Sequence, residues 1–173
     1  MNGSHESKLT PAEILGSGGH IARRLANYEH RGEQLQMADA VAAAIAEGRH
    51  LIVEAGTGVG KSFAYLVPAI LAVTEPAEQG KGPNRPRRIV ISTHTISLQE
   101  QLIRKDLPLL SSVIPREFSV VLVKGRRNYL SRRRLMTAMN RGDNLFDEQN
   151  EVVQLRDIRR WSEKTHDGSL SNF

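Results

Sequence analysis

The residues with the clearest chemistry form a glycine-rich loop that ends in lysine and serine. Residues 55–62 read AGTGVGKS and follow a short apolar run. Glycines at positions 56, 58 and 60 let successive backbone N–H groups turn towards one point, and a helix that begins at the lysine adds its positive end. In this pattern such a loop binds nucleotide phosphates, so the sequence predicts a P-loop.

The side chains of this loop have different expected roles. Lys61 is the candidate catalytic residue, because it would reach the β- and γ-phosphates, and the Ser62 hydroxyl would bind Mg²⁺. The other predicted nucleotide-binding positions are Ala55, Gly56, Thr57, Gly58, Val59 and Gly60. Ala55 stands where the strictest pattern has glycine. A chance glycine turn before a lysine is disfavoured, because the pattern follows a predicted strand and begins a predicted helix.

Hydrolysis needs a second acidic site, normally at the end of an apolar strand, that holds Mg²⁺ and orients water. The adjacent acidic pair Asp147 and Glu148 follows GDNLF rather than a β-run, and it suits the first turn of a helix better. No spacing identifies an arginine finger. We therefore expect nucleotide binding without the residues that complete hydrolysis.

Alternating strands and helices must position the loop. Apolar residues at helical spacing from Glu33 predict a helix that stops at Gly48. Short apolar runs predict buried strands at 51–53, 88–92 and 119–123, and further helices are predicted from Lys61, over 96–105 and over 151–161. This order predicts an α/β fold with a parallel sheet and right-handed crossovers.

Three segments are expected to interrupt this regular order. Pro68 lies about two turns into the helix after the loop and predicts a kink or an early end. Residues 74–87 contain three prolines and two glycines and predict a surface loop. Residues 1–20 are polar and rich in glycine, and they predict an extended or flexible lead-in.

Composition limits the class of protein. A chain of 173 residues suits one domain better than two. No apolar run approaches the roughly 18 residues of a membrane span, no secretion signal is recognisable, and zero cysteines exclude a disulfide framework. These features predict a cytoplasmic protein without a membrane partner.

The positive charge is concentrated in one short stretch. Residues 124–134 contain six basic residues and no acidic residue, whereas the formal net charge of the whole chain is +5. The basic residues are Lys124, Arg126, Arg127, Arg132, Arg133 and Arg134. A patch of this kind suits an anionic polymer, because each neutralised phosphate releases condensed counterions. The alternative is a solvated basic face that has no partner.

Segments on both sides of the loop extend the pattern. Four segments are relevant. They are YEHRGEQLQMADAV at 28–41, EAGTGVGKSFAYLVPAI at 54–70, which includes the loop, ISTHTISLQEQL at 91–102, and KGRRNYL at 124–130. Together they resemble the Q-motif, motif I, motif Ia and the start of the iron–sulfur region in the iron–sulfur branch of superfamily 2 helicases, which includes bacterial DinG and eukaryotic XPD. The resemblance covers about residues 20 to 135.

The resemblance implies an incomplete first motor domain with a RecA-like parallel sheet and flanking helices over 21–130. A helical start of an iron–sulfur or arch-type insertion would follow over 131–173. ATP and Mg²⁺ are the implied cofactors. The implied nucleotide-binding set adds Tyr28, Arg31 and Gln34, of which the last two help to recognise the base.

The resemblance also implies contacts with DNA. The implied residues are Thr93, His94 and Thr95 in the motif Ia turn, and Lys124, Arg126, Arg127 and Tyr129 in the basic stretch. The hydroxyls of Thr93 and Thr95 could equally end a strand and cap a helix, and both roles can hold together. His94 has no partner at ligand spacing, which disfavours a metal role.

Position 131 departs from the family pattern. In cluster-bearing members the NYL segment is followed at once by the first cysteine ligand, whereas this chain has Ser131 and no cysteine. Serine cannot replace a thiolate at such a cluster, so no iron–sulfur cluster is expected. Either the chain is a cluster-free member, or a cysteine was replaced by design.

Three functions remain in competition on this pattern. The first is a DinG-type ATP-dependent helicase that moves on single-stranded or forked DNA, with this chain as its N-terminal part. The second is a nucleotide- and DNA-binding module without catalysis. The third, a small-molecule kinase, explains the P-loop but neither the motif Ia-like turn nor the basic stretch. An unfinished sheet also predicts oligomerisation of the chain.

Overall fold

The computed structural model describes residues 9–75, 87–140 and 149–173. The chain divides into two compact units, Met1–Val120 and Val121–Phe173. The helices of the first unit are α1 Pro11–Leu15, α2 His20–Arg24, α3 Gly32–Glu47, α4 Lys61–Thr74, α5 Ile96–Gln101 and α6 Leu107–Val113, with a π-helical segment Leu102–Asp106 between α5 and α6. The second unit contains α7 Arg132–Asn140 and α8 Gln149–Ser162, with 3₁₀ turns at Arg126–Asn128 and Leu170–Asn172.

The N-terminal segment is helical where the sequence predicted an extended lead-in. Thr10 and Glu13 form a reciprocal capping box at the start of α1, which satisfies two N–H groups that the helix leaves free. Ile14 and Leu15 are buried in the hydrophobic core. The prediction of an extended segment is therefore wrong for residues 11–15, because capping and burial stabilise a short helix. Residues 1–8 lie outside the described part of the chain.

The core of the first unit lies where α3 and α4 pack together and contact α1. Ala38 of α3 and Ala64 and Val67 of α4 are fully buried. The predicted stop of α3 is confirmed, since Gly48 has a φ of 64° and its N–H bonds back to the last turn. Small side chains at the contact allow the two helices to approach closely, which fixes the start of α4 relative to α3.

Helix α4 continues through Pro68 to Thr74, so the expected early end at this proline does not occur. Proline inside a helix costs about 3 kcal/mol. Here Pro68 is buried together with its neighbours Val67 and Ala69, and the burial of this apolar stretch offsets the lost hydrogen bond. At the far end, the Arg116 guanidinium donates a hydrogen bond to the Thr74 carbonyl at 2.9 Å, which satisfies a terminal carbonyl of the helix.

The predicted parallel sheet is absent from the described residues. Segments 51–53, 88–92 and 119–123 have no regular secondary structure, and the central residues Ile52 and Val90 are 98% and 91% exposed. An apolar run becomes a strand only when a neighbouring strand pairs with its N–H and C=O groups. Within the described ranges these three segments have no such pairing, so they do not form strands despite their apolar composition.

Helix α5 continues without a break into the π-helical segment and then α6, and it therefore extends beyond the predicted 96–105. A π turn contains an extra residue and occurs frequently at functional sites. Asp106, the last residue of this segment, is 4% exposed, and it accepts a hydrogen bond from the Gln101 amide at 3.1 Å. A carboxylate is thus buried on an otherwise apolar face.

In the second unit α7 packs against α8, which covers the predicted helix over 151–161. Trp161 forms an edge-to-face contact with Phe173, with ring centroids 5.3 Å apart. Tyr129 and Ser169 form an antiparallel bridge, which is the only isolated β-bridge among the described residues. Asp147, Glu148 and positions 76–86 of the predicted loop lie outside the described residues.

Across residues 9–75, 87–140 and 149–173, no helix combines the length and the apolar composition that crossing a membrane requires.

Candidate nucleotide-binding site

The glycine-rich loop has an unusual backbone conformation at two of its glycines. Gly58 and Gly60 have φ values of 88° and 81°, in the left-handed region that residues with a Cβ rarely adopt. Helix α4 begins directly after Gly60, and no side chain caps its first N–H groups. These N–H groups, together with the positive end of the helix dipole, are therefore free to bind an anion.

Lys61 reaches back across the loop. Its Nζ atom donates hydrogen bonds to the carbonyl oxygens of Ala55 at 2.9 Å and Gly56 at 2.6 Å, and the side chain is exposed. A phosphate oxygen would compete with these two carbonyls for the ammonium group. The charge lies on the same short loop as the free N–H groups of α4, so both can act on one ligand.

Ser62, the candidate magnesium ligand, interacts with a tyrosine one turn further along α4. Burial raises the pKa of the Tyr65 hydroxyl, a hydrogen bond with the Ser62 side chain opposes the shift, and the negative charge of Asp106 adds to it. The π-helical segment that carries Asp106 packs against α4. Ser62 therefore interacts with a tyrosine hydroxyl whose pKa depends on the charge of a nearby carboxylate.

Gln34 contacts the loop directly, and Tyr28 contacts Gln34. The Gln34 amide donates from Nε2 to the Gly60 carbonyl at 3.0 Å, and its Oε1 accepts from the Tyr28 hydroxyl at 3.0 Å. The Arg31 guanidinium pairs with the Glu29 carboxylate at 2.8 Å and lowers the pKa of that carboxyl. Of these three predicted nucleotide-binding residues, Gln34 is therefore the one with a hydrogen bond to the loop in the described part of the chain.

The motif Ia-like turn has the capping role that its hydroxyls allowed. The Thr95 hydroxyl accepts a hydrogen bond from the Leu98 N–H at 3.3 Å at the start of α5. The Thr93 hydroxyl donates to the Thr95 carbonyl at 3.1 Å, which closes the turn. His94 between them is exposed. The turn therefore exposes the His94 side chain and the capped start of α5 to solvent.

The basic stretch lies in the second unit, and its predicted DNA-binding residues differ in environment. Arg126 and Arg127 are exposed in the 3₁₀ turn. Lys124 donates from Nζ to the Ser169 hydroxyl at 2.9 Å, and its backbone N–H donates to the Tyr129 hydroxyl at 2.9 Å. The two arginines face solvent, whereas the lysine and the tyrosine stabilise the unit.

Ser131, at the position of the expected first cysteine, directly precedes helix α7. Its hydroxyl accepts a hydrogen bond from the Arg134 N–H at 3.4 Å, and its carbonyl accepts from the Leu135 N–H at 2.9 Å. This is the position of an N-cap, for which serine is among the preferred residues. The serine has a structural role of its own here.

Asp106 and Tyr65 were missed as site residues by the reasoning from sequence. A signal existed, because Leu102, Asp106 and Leu110 recur at intervals of four and share one face of the helix. A single acid between two buried leucines indicates a buried carboxylate. Within the described ranges no group of three or more His, Cys, Asp or Glu residues could hold a metal ion.

Comparison with known protein families decides the classification. The sequence profile of the DEAD/DEAH box helicase family matches residues 35–153, which is more than half of the chain. The chain belongs to the DEAD/DEAH box helicase family. Membership in this helicase family implies a RecA-like P-loop fold, although the described residues contain no sheet.

Individual helicases of the family are similar over most of this chain. ATP-dependent DNA helicase YoaA of Escherichia coli is 39% identical over 88% of the chain, and ATP-dependent helicase DinG of Mycobacterium tuberculosis is 39% identical over 86%. A protein named 3'-5' exonuclease DinG in Bacillus subtilis is 29% identical over 88% of the chain.

The predicted resemblance to DinG-type helicases is confirmed by these relatives. The chain covers only 22% of the E. coli helicase, 23% of the M. tuberculosis helicase and 15% of the B. subtilis protein. No solved structure matches the chain significantly.

Proposed function

We propose that this chain is the nucleotide-binding front part of the first motor domain of a DinG-type ATP-dependent DNA helicase. The observation that carries the proposal is the conformation of the loop before α4. Two left-handed glycines, an uncapped helix start and the Lys61 ammonium are all available to one phosphate group. Family membership and the DinG and YoaA relatives support ATP as the ligand.

Each part of the loop has a defined task in this function. The N–H groups at the start of α4 would bind the phosphates, and Lys61 would exchange its bonds with the Ala55 and Gly56 carbonyls for bonds with phosphate oxygens. The Ser62 hydroxyl would hold Mg²⁺. When bound, that ion neutralises charge that develops on the phosphates during transfer.

A contact with single-stranded or forked DNA is the second part of the proposal. Thr93, His94 and Thr95 form a capped turn in the first unit, and Arg126 and Arg127 are exposed in the second. Exposed guanidinium groups suit phosphate contact, and a helix start suits a backbone phosphate. The structure supports the two arginines more strongly than Lys124 and Tyr129, whose polar groups are used within the unit.

For the chain alone we propose nucleotide binding with negligible hydrolysis. In the sequence, the adjacent acidic pair Asp147 and Glu148 follows GDNLF rather than an apolar strand. Hydrolysis requires an acid, normally after such a strand, to orient the attacking water. This observation favours the second candidate function, a nucleotide- and DNA-binding module, as the activity of the chain by itself.

The test is titration of the chain with a fluorescent ATP analogue and Mg²⁺, with Lys61→Ala as the variant. A charge-assisted hydrogen bond contributes about 1.5–3 kcal/mol, so the variant should bind about 10- to 150-fold more weakly. Lys164→Ala is the matched control, because it removes an exposed lysine from the second unit. Equal binding by Lys61→Ala would defeat the proposal, and robust ATP turnover would defeat the claim of negligible hydrolysis.

A further inference from the structure

The 3₁₀ turn Arg126–Asn128, which carries two exposed arginines, is closed by its own hydrogen bonds. The Asn128 N–H donates to the Gly125 carbonyl at 2.8 Å, and the Asn128 side-chain amide donates to the same oxygen at 3.2 Å. Across the turn, the Tyr129 hydroxyl accepts a hydrogen bond from the Lys124 N–H at 2.9 Å. The residues on the two sides of the turn are therefore joined to each other.

The chain before the turn is also held by two serines near the end of the second unit. Lys124 Nζ donates to the hydroxyls of Ser169, at 2.9 Å, and Ser171, at 2.7 Å. Ser169 is 1% exposed, whereas Ser171 is exposed. A buried hydroxyl without a partner is unfavourable, so the bond between Lys124 and Ser169 fixes both side chains.

The chain after the turn is held by the same short segment, residues 168–171. Tyr129 and Ser169 form the antiparallel bridge, and the Leu130 N–H donates to the Gly168 carbonyl at 2.9 Å. Gly168 has a φ of 70°, in the left-handed region that favours glycine. Residues 168–171 therefore contact the chain on both sides of the two exposed arginines.

We propose that residues 168–171 hold the 3₁₀ turn in the conformation in which Arg126 and Arg127 contact the backbone of single-stranded DNA, with Ser169 as the principal positioning residue. A turn that is already ordered loses less conformational entropy when it binds. If the turn sampled other conformations, the apparent affinity would fall in proportion to the competent fraction. This inference rests on the proposed contact with DNA, and it adds a segment that has no charge of its own.

The experiment measures binding of a labelled single-stranded oligonucleotide to Ser169→Ala and to Ser171→Ala at several salt concentrations. Each variant removes one acceptor of the Lys124 ammonium and keeps every positive charge. Loss of one hydrogen bond predicts binding about 2- to 10-fold weaker at each salt concentration. The slope of log K against log salt should equal that of wild type, because both arginines still reach phosphates.

A matched control and two further measurements separate positioning from loss of the fold. Ser162→Ala removes a hydroxyl that donates to the Arg159 carbonyl at 2.6 Å within α8, and it should change neither affinity nor slope. Fluorescence of Trp161, the single tryptophan of the sequence, reports whether the second unit stays folded. In Ser169→Ala, hydrogen exchange should accelerate at the amides of residues 128–130 and stay unchanged along α7.

Wild-type affinity in both Ser169→Ala and Ser171→Ala would overturn the proposal. Tighter binding with a steeper slope would also overturn it, because the released Lys124 ammonium would then be a DNA contact itself. If Trp161 fluorescence shows that Ser169→Ala unfolds the second unit, the exposed position of Ser171→Ala makes that variant decisive. Absence of binding by the wild-type chain would instead contradict the proposed contact with DNA, and this inference with it.

Discussion

The ammonium group of Lys124 donates hydrogen bonds to the hydroxyls of Ser169, at 2.9 Å, and Ser171, at 2.7 Å. Lys124 was predicted from the sequence to contact DNA, yet its charge is used to hold the C-terminal segment of its own unit. Arg126 and Arg127, two and three residues further along, remain exposed. The basic stretch therefore combines a structural lysine with two arginines that are available to a partner.

Replacing both Arg126 and Arg127 with alanine should weaken binding to single-stranded DNA and reduce its dependence on salt. Each lost phosphate contact lowers the slope of log K against log salt by about 0.7 for single strands, so the double variant should lose about 1.4. Fluorescence anisotropy with a labelled oligonucleotide at several salt concentrations measures the slope.

The matched control is the double variant Arg159→Ala with Arg160→Ala. It removes the same charge from the same unit, but these arginines pair with Glu163 at 3.7 Å and Asp157 at 3.3 Å. An equal loss of slope in both double variants would show that net charge alone accounts for binding, which contradicts a specific contact at the 3₁₀ turn.

Gly60→Ala should destabilise the first unit more than Gly58→Ala. Both glycines have positive φ, so alanine at either position costs about 1–2 kcal/mol of backbone strain. Only at position 60 would the new Cβ meet the Gln34 amide, whereas nothing lies within 4 Å of it at position 58. The additional loss, about 1 kcal/mol for the broken hydrogen bond, is measurable by urea denaturation. Equal destabilisation by the two variants would contradict the close fit.

Alkaline pH should destabilise the first unit through Tyr65. Burial, together with the charge of Asp106, raises the pKa of this hydroxyl above its usual 10.0. The folded state therefore favours the protonated form, and this stabilisation is intact below pH 10 and is lost as the pH rises through the folded pKa. The free energy of unfolding, measured from pH 8 to 11, should fall less steeply in Tyr65→Phe. Parallel profiles for wild type and variant would rule out this effect.

Exposed apolar residues in the unpaired segments should make the chain associate with itself. Ile52→Lys combined with Val90→Lys places charge at two positions that are almost fully exposed, so little folding stability should be lost. Sedimentation velocity at several concentrations should show oligomers for wild type and fewer for this double variant. Met136→Lys, at a half-exposed position of α7, is the control. A monomeric wild type at every concentration would refute the prediction.

Local signals in the sequence predicted several elements well. Helix α3 begins where apolar periodicity starts and ends at Gly48, and α8 covers the predicted segment. The positive φ values of Gly58 and Gly60 in the loop at 55–62 likewise follow from residue type. Interactions between neighbours along the chain determine all of these features, so one sequence is enough to find them.

Features that depend on distant residues were predicted less well. Segments 51–53, 88–92 and 119–123 have the composition of buried strands, but strand formation needs a partner that composition does not specify. The pairing of Lys124 with Ser169 joins residues 45 positions apart, and that of Gln34 with Gly60 joins residues 26 apart. The partners of these residues could therefore not be predicted from the sequence, and the binding roles of the candidate-site residues stay predictions.

The π-helical segment Leu102–Asp106 has a genetic consequence. A π turn accommodates one residue more than an α turn, so deletion of a single codon between 102 and 106 should restore continuous α-helical geometry. The residues that follow would keep their side of the helix, because the π turn already absorbs the extra residue. Leu110, which is fully buried, would stay in the core. A homologue with a one-residue gap here should therefore carry the same apolar register in its next seven residues.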